Sequence, residues 1–271
     1  MTATQSPRGR SGSAFLFSVP IAILGGLIGL GGAEFRLPVL AGPLGYATRQ
    51  AVPLNLAISV VTIVASLAIR SRSLDTGPIG DLRTAIVSLI VGAVIAATFG
   101  TTLFARLSDE RLERLILGLL LVVGVALIAE SFLPRETGRL LPDGVGVDIG
   151  AGVLFGLGIG LVSSLLGVAG GEVIIPTLLF AYGADIKIAG TASLLISLPT
   201  VAVGIVRYAR RGAYTRQPLR ETVGPMAVGS VIGAVIGGLL VGSIPAGFLK
   251  FGLGIILIAS AVRVFAQVRR S

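Results

Sequence analysis

Gly29-Leu30-Gly31-Gly32-Ala33-Glu34-Phe35-Arg36-Leu37-Pro38 returns further along the chain as Gly167-Val168-Ala169-Gly170-Gly171-Glu172-Val173-Ile174-Ile175-Pro176. The second copy lies 138 residues after the first (29 to 167), and the register continues without a gap to Ser59 and Ser197. Gly29, Gly32, Glu34, Pro38, Leu40, Gly45, Ala51, Leu56, Ile58 and Ser59 are identical to their partners. Both copies interrupt strongly apolar sequence with glycines, one carboxylate and one proline. Matching interruptions in two halves of a membrane chain are the best sequence pointer to a transporter's binding site.

The composition supports that setting. Hydrophobic residues make up 54% of the chain and charged residues only 13%, where soluble domains carry about a quarter. Mean hydropathy is +0.95. The apolar runs are continuous rather than alternating, which excludes a β-barrel reading. The 39 glycines suit closely packed membrane helices. The sequence therefore reads as an all-α polytopic membrane protein embedded in a lipid bilayer.

A net charge of +9 would suggest nucleic acid in a soluble protein. Here most Lys and Arg fall in short loops and tails, where they set orientation in a membrane, so no nucleic-acid partner is expected. Cysteine and histidine are both absent, which removes disulfides, thiolate metal sites and the commonest proton relay. No cofactor or metal is expected. No Walker loop is present, and the aspartates sit in predicted loops, so neither ATP hydrolysis nor an intramembrane aspartyl protease fits. The chain does not read as an enzyme.

Residues 1–13 form a polar tail with Arg8 and Arg10, expected on the cytoplasmic side. The apolar run after it has a signal-peptide pattern, yet it ends in the first repeat copy and reads as a permanent helix. The first transmembrane repeat, 14–134, holds helices at Ala14–Leu30, Thr48–Ile69, Leu82–Phe104 and Arg111–Leu133, with a short apolar piece at Ala33–Leu44. After a linker at 135–144, the second repeat, 145–267, holds Val145–Val168, a short piece Gly171–Tyr182, Ile186–Tyr208, Glu221–Val241 and Ala246–Phe265. Residues 268–271 close the chain. A full span needs about 20 apolar residues, and the short pieces reach barely half of that. This gives two homologous halves, each of four spans plus one half-membrane helix.

The basic segment with Arg207, Arg210, Arg211, Arg216 and Arg220 is expected in the cytoplasm, and both chain ends with it, in a cytoplasmic (inner) membrane of bacterial type. The relative orientation of the halves stays open. Non-crossing short pieces make them parallel, and crossing ones make them inverted. Gly92, Ala96 and Gly100, with their counterparts Gly229, Gly233 and Gly237, read as helix-packing seams.

The candidate binding residues cluster around the interruptions. Gly31, Gly32, Gly170 and Gly171 precede half-helices whose first N–H groups and dipole ends can meet an anion. Glu34 and Glu172 stand in the first turns, where a carboxylate either caps free amides or takes part in function. Arg36 has no charged counterpart, since Ile174 holds the matching position, and pairs across the fold or meets an anion. Asn55 and Ser59, with Ser193 and Ser197, lie four apart and share one helix face each, with Thr191 nearby. They could line a polar path or simply hydrogen-bond helices together. Arg49 and Lys187 correspond just before those helices and suit snorkelling helix-end charges.

The duplicated order Gly-x-Gly-Gly, Pro-x-Leu and Ala-x-x-x-Asn/Ser-Leu resembles the TauE/SafE sulfite exporter family. Here it is carried by Gly29, Gly31, Gly32, Pro38, Leu40, Ala51, Asn55 and Leu56, and again by Gly167, Gly170, Gly171, Pro176, Leu178, Ala189, Ser193 and Leu194. Many members keep three consecutive glycines, where this chain has Gly31-Gly32-Ala33 and Ala169-Gly170-Gly171. The resemblance implies secondary transport of sulfite or a sulfonate-type organosulfur anion, in some members as export. An anion channel and a non-transporting membrane scaffold or sensor are the alternatives. Protons are a candidate coupling partner through Glu34 and Glu172, and oligomeric state is left open.

Overall fold

A computed structural model describes residues 7–74, 77–103, 121, 125, 128, 139–166, 168–245, 247–249, 251, 252, 254, 255 and 258. The expected helices at Arg111–Leu133 and Ala246–Phe265 fall largely or wholly outside these residues, as do Gly167 and the C-terminal tail. Among the described residues the chain is helical, with no strand. The long helices are α1 (Pro7–Ile28), α3 (Thr48–Ser73), α4 (Arg83–Leu103), α5 (Val145–Leu166), α7 (Ile186–Arg210) and α8 (Arg216–Leu240). Between them lie the short α2 (Ala33–Ala41) and α6 (Gly171–Ala181). Five of the long helices are long and apolar enough to cross a membrane, and α4 has a shorter apolar stretch, Arg83–Phe99.

Boundaries agree with the sequence reading to a few residues, with one clear shift. Helix α1 begins at Pro7, so the second half of the expected polar tail is helical. Its start is held by Ser11, whose hydroxyl donates to the Glu221 carbonyl at 3.0 Å. Pro176 offers no N–H to continue the α ladder, and α6 relaxes into a wider π turn over Thr177–Ala181.

The contacts fix the direction of every helix. Ala14, Leu40, Leu44, Tyr46, Leu54 and Met226 form one core cluster. It places the starts of α1, α3 and α8 and the end of α2 together at one face, the near face. At the far face, Arg70 near the end of α3 donates to the Gly26 and Leu27 carbonyls near the end of α1 and to the Lys187 carbonyl at the start of α7. Ser73 donates to the Gly238 carbonyl at the end of α8. Tyr214, just beyond the end of α7, returns to the near face and donates to the Pro53 carbonyl.

Thus α1, α3 and α8 run from near to far, while α7 runs from far to near. Arg207 near the end of α7 donates to the Ala97 carbonyl near the end of α4, so α4 runs from far to near. Helix α5 runs parallel to it, since Gly156 abuts Leu89 and Gly160 abuts Ala93. Tyr182, at the end of α6, donates to the Asp148 carbonyl at the start of α5. Each helix of the second half therefore opposes its counterpart: α5 against α1, α6 against α2, α7 against α3 and α8 against α4. The alternative left open by the sequence closes here. The short pieces carry the chain back across, and the halves are inverted.

Packing repeats under this inversion. Helix α1 packs on α8 and α4 on α5, while α3 and α7 cross at the centre. The glycine ridges are the seams: a Cβ on Gly233 would lie 2.3 Å from the Val19 carbonyl oxygen, and one on Gly92 would lie 2.3 Å from that of Val153. With no hydrophobic drive between helices in lipid, such close backbone approach is what holds them together.

Candidate functional site

The two interruptions meet between α3 and α7. Gly32 and Gly170 occupy matching places with φ of +73° and +80°, a left-handed turn that suits glycine. A Cβ on Gly31 would lie 3.7 Å from the Ala169 Cβ, and one on Gly171 would lie 3.1 Å from the Leu30 Cα. Each break thus touches the other. A Cβ on Gly32 would meet Ile21 and one on Gly170 would meet Ile159. These glycines serve packing as well as any approach of a ligand.

Glu34 and Glu172, first-turn residues of α2 and α6, are brought together from opposite halves. Their carboxyl groups adjoin, and both residues are buried. Beyond its own first-turn backbone N–H and the Glu172 carboxyl, the Glu34 carboxylate has no partner of regular hydrogen-bond geometry.

Arg36 is wholly buried. Its Nη1 donates to Ser59 Oγ at 3.0 Å and Asn55 Oδ1 at 3.4 Å, and its Nη2 to Thr62 Oγ1 at 3.0 Å and the Gly31 carbonyl at 3.2 Å. Asn55 in turn donates to the Ala33 carbonyl, locking the start of α2 against α3. Every one of these acceptors is neutral. Among the described residues no carboxylate lies within 4.0 Å of the guanidinium, although Glu34 acts on it at longer range. Arg36 thus pairs across to α3 through neutral groups rather than through an ion pair within 4.0 Å, and Glu34 is the charge that acts on it from further away.

The second half supplies the same helix face without the arginine. Ser193 and Ser197 are buried on α7; Ser193 Oγ lies beside Gly171 and has no hydrogen-bond partner. Thr191 is drawn elsewhere, accepting from Arg70 Nε at 3.0 Å. Lys187 reaches the Gly242 carbonyl at the far face, as a helix-end charge should. The site is closed to both faces in this conformation, with every polar group around Arg36 buried.

The model of the sulfite exporter TauE/SafE family matches residues 2–127 and 151–271. The chain belongs to the TauE/SafE sulfite exporter family. Neither a curated protein nor a solved structure matches it. As a TauE/SafE protein it is a multi-pass membrane transporter, and the duplicated motif that carries the family resemblance is the one that builds the buried centre.

Sequence reading missed two buried residues on α3 of this TauE/SafE protein, one in the centre and one toward the far face. Thr62 completes the cradle of Arg36, and Arg70 is a second wholly buried arginine. Both continue the spacing of Asn55 and Ser59 along α3, at intervals of three and four, and that periodicity was the available signal.

Proposed function

We propose that this protein is a secondary carrier that moves sulfite or a small sulfonate-type anion across the cytoplasmic membrane, binding it at Arg36. The observation that carries this reading is a buried guanidinium, held only by neutral oxygens, where the breaks of two inverted halves meet. A charge at membrane depth costs several kcal/mol unless it is partnered, and an anion with two or three oxygens matches the fork of an arginine. Asn55 and Ser59 hold it in place. Ser193, whose hydroxyl has no hydrogen-bond partner, and Ser197 are the neutral groups assigned to the site from α7, and Glu34 and Glu172 complete the centre with Gly31, Gly32, Gly170 and Gly171.

Inverted halves around a central site suit alternating access, because the pseudo-twofold axis in the membrane plane relates the arrangement open to one face to the arrangement open to the other. The near face, which carries Arg207, Arg210, Arg211, Arg216 and the N-terminal helix start, is the cytoplasmic one on the basic-loop rule. Proton coupling rests on the carboxyl pair: two adjoining carboxylates repel each other and an arriving anion, and one added proton relieves both. Proton and anion then cross together, in the same direction.

The test is binding. Sulfite and methanesulfonate should raise the melting temperature of the purified protein, chloride should do so less, and Arg36→Gln should abolish the shift while the variant still melts cooperatively. Equal shifts in wild type and Arg36→Gln would refute the assignment.

A further inference from the structure

The polar face of α3 does not stop at the cradle of Arg36. Asn55, Ser59, Thr62, Ser66 and Arg70 follow one another at intervals of four, three, four and four, and each is wholly buried. On a helix these intervals keep all five within a single stripe. The first three hold Arg36. The last, Arg70, is a second guanidinium whose acceptors are all neutral: Thr191 Oγ1 and the carbonyls of Gly26, Leu27 and Lys187. No carboxylate among the described residues lies within 4.0 Å of it. Between the two arginines stands Ser66, whose hydroxyl has no hydrogen-bond partner.

Capping the last carbonyls of α1 accounts for part of what Arg70 does. It does not account for Ser66, a buried hydroxyl that costs free energy while nothing bonds to it. Nor does it account for the asymmetry. The matching face of α7 keeps Ser193, Ser197 and Thr200, then continues with Gly204 and Tyr208 where α3 has Ser66 and Arg70. The extension exists in the half that owns Arg36, and it leads toward the far face. There an open, mostly apolar groove is lined by Leu67, Ile79, Ile86 and Leu195 with Ser71, Arg83 and Thr191, and Thr191 is the residue it shares with Arg70.

The geometry points to Arg70 as a second anion-binding station, with Ser66 as the hydroxyl that hands an oxyanion between Arg36 and Arg70 on the far-face side of the path. This rests on the reading of Arg36 as the central site. Thr62 and Arg70 are eight residues apart, about 12 Å along the helix axis, so an anion moving between the arginines meets Ser66 about halfway. The ligand class is that of the central site, a small oxyanion of sulfur.

The chain has no cysteine, so Ser66→Cys in the full-length protein in proteoliposomes reports on this station alone. The probes are methanethiosulfonate reagents bearing either a sulfonate or a trimethylammonium group. The sulfonate reagent should react at least tenfold faster, methanesulfonate should slow it, and adding Arg70→Gln should bring the two rates together. A fixed guanidinium one turn away would by itself favour the anionic reagent. The deciding readout is therefore the slowing by methanesulfonate, which a purely structural Arg70 would not give and which Arg70→Gln should remove. Equal rates, faster reaction of the cation, or no reaction would each overturn the station. Arg70→Lys, which keeps the charge and part of the cap, should retain the preference, and its loss there would also count against the proposal. If Arg36→Gln still binds methanesulfonate, the central reading fails instead; if that variant loses binding while position 66 shows no preference, only the second station fails.

Discussion

Glu34 and Glu172 come from opposite, inverted halves, yet their carboxyl groups adjoin in the buried centre. The repeat alone sets this contact, because two positions related by a central pseudo-twofold must approach each other if they lie near its axis. On the proton-coupled reading, glutamine at either position imitates the protonated carboxyl. Glu34→Gln or Glu172→Gln should bind methanesulfonate with less dependence on pH and should lose accumulation driven by an imposed pH gradient. The check is uptake into proteoliposomes with and without that gradient. Accumulation that persists in both single variants and in the double variant would remove these residues from coupling.

Arg36 is expected to tolerate no simple exchange. Lysine keeps the charge but presents no planar fork to Ser59, Asn55 and Thr62. Hydrogen bonds to charged groups contribute roughly 1.5–3 kcal/mol each. Arg36→Lys should therefore weaken methanesulfonate binding roughly ten- to a hundredfold in calorimetry, and Arg36→Gln should weaken it further. A lysine variant that binds as tightly as wild type would show that the fork is not used.

The crossing of α1 and α7 gives a stability prediction. A Cβ on Gly190 would lie 2.3 Å from the Ile28 carbonyl oxygen and 2.9 Å from Arg70 Nη2. Gly190→Ala should lower the melting temperature, since overpacking a tight contact costs roughly 1–3 kcal/mol. Gly150, within α5, has nothing within 4 Å of its Cβ position. Gly150→Ala should leave stability unchanged or raise it, because alanine is the better helix former by about 1 kcal/mol. Thermal melts of the two variants in one detergent make the comparison.

Topology can be read from matched positions. Ala47 and Asp185 precede α3 and α7 with the repeat offset of 138 (47 to 185), and both are exposed. Single cysteines there should be labelled by an impermeant maleimide from opposite faces of sealed vesicles. Labelling from the same face would contradict the inverted arrangement.

Much of the fold was legible because its causes are local. Continuous apolar runs mark α3, α4, α5, α7 and α8, and glycine with proline marks each break. The inversion was not legible, since it depends on whether α2 and α6 carry the chain back across, and charge counts on the loops differ too little to decide that. The site was half legible. Periodicity placed Asn55 with Ser59 and Ser193 with Ser197, but the partner choice of Arg36 rests on how α2 leans on α3. Thr191 shows the limit of the repeat. It matches no polar residue in the first half, its counterpart being Pro53, and Arg70 takes it. Valine at Gly32 would strike Ile21, so that substitution tests folding rather than binding.

The central claim is that an anion bound at Arg36 is carried, not merely conducted. Counterflow tests it most directly: proteoliposomes loaded with unlabelled sulfite are diluted into labelled sulfite, and the initial uptake of label is followed. The carrier account predicts that internal sulfite accelerates uptake severalfold in wild type and produces a transient overshoot, and that Arg36→Gln shows neither. Wild-type uptake that is indifferent to internal sulfite once the membrane potential is clamped, or undiminished counterflow in Arg36→Gln, would contradict it.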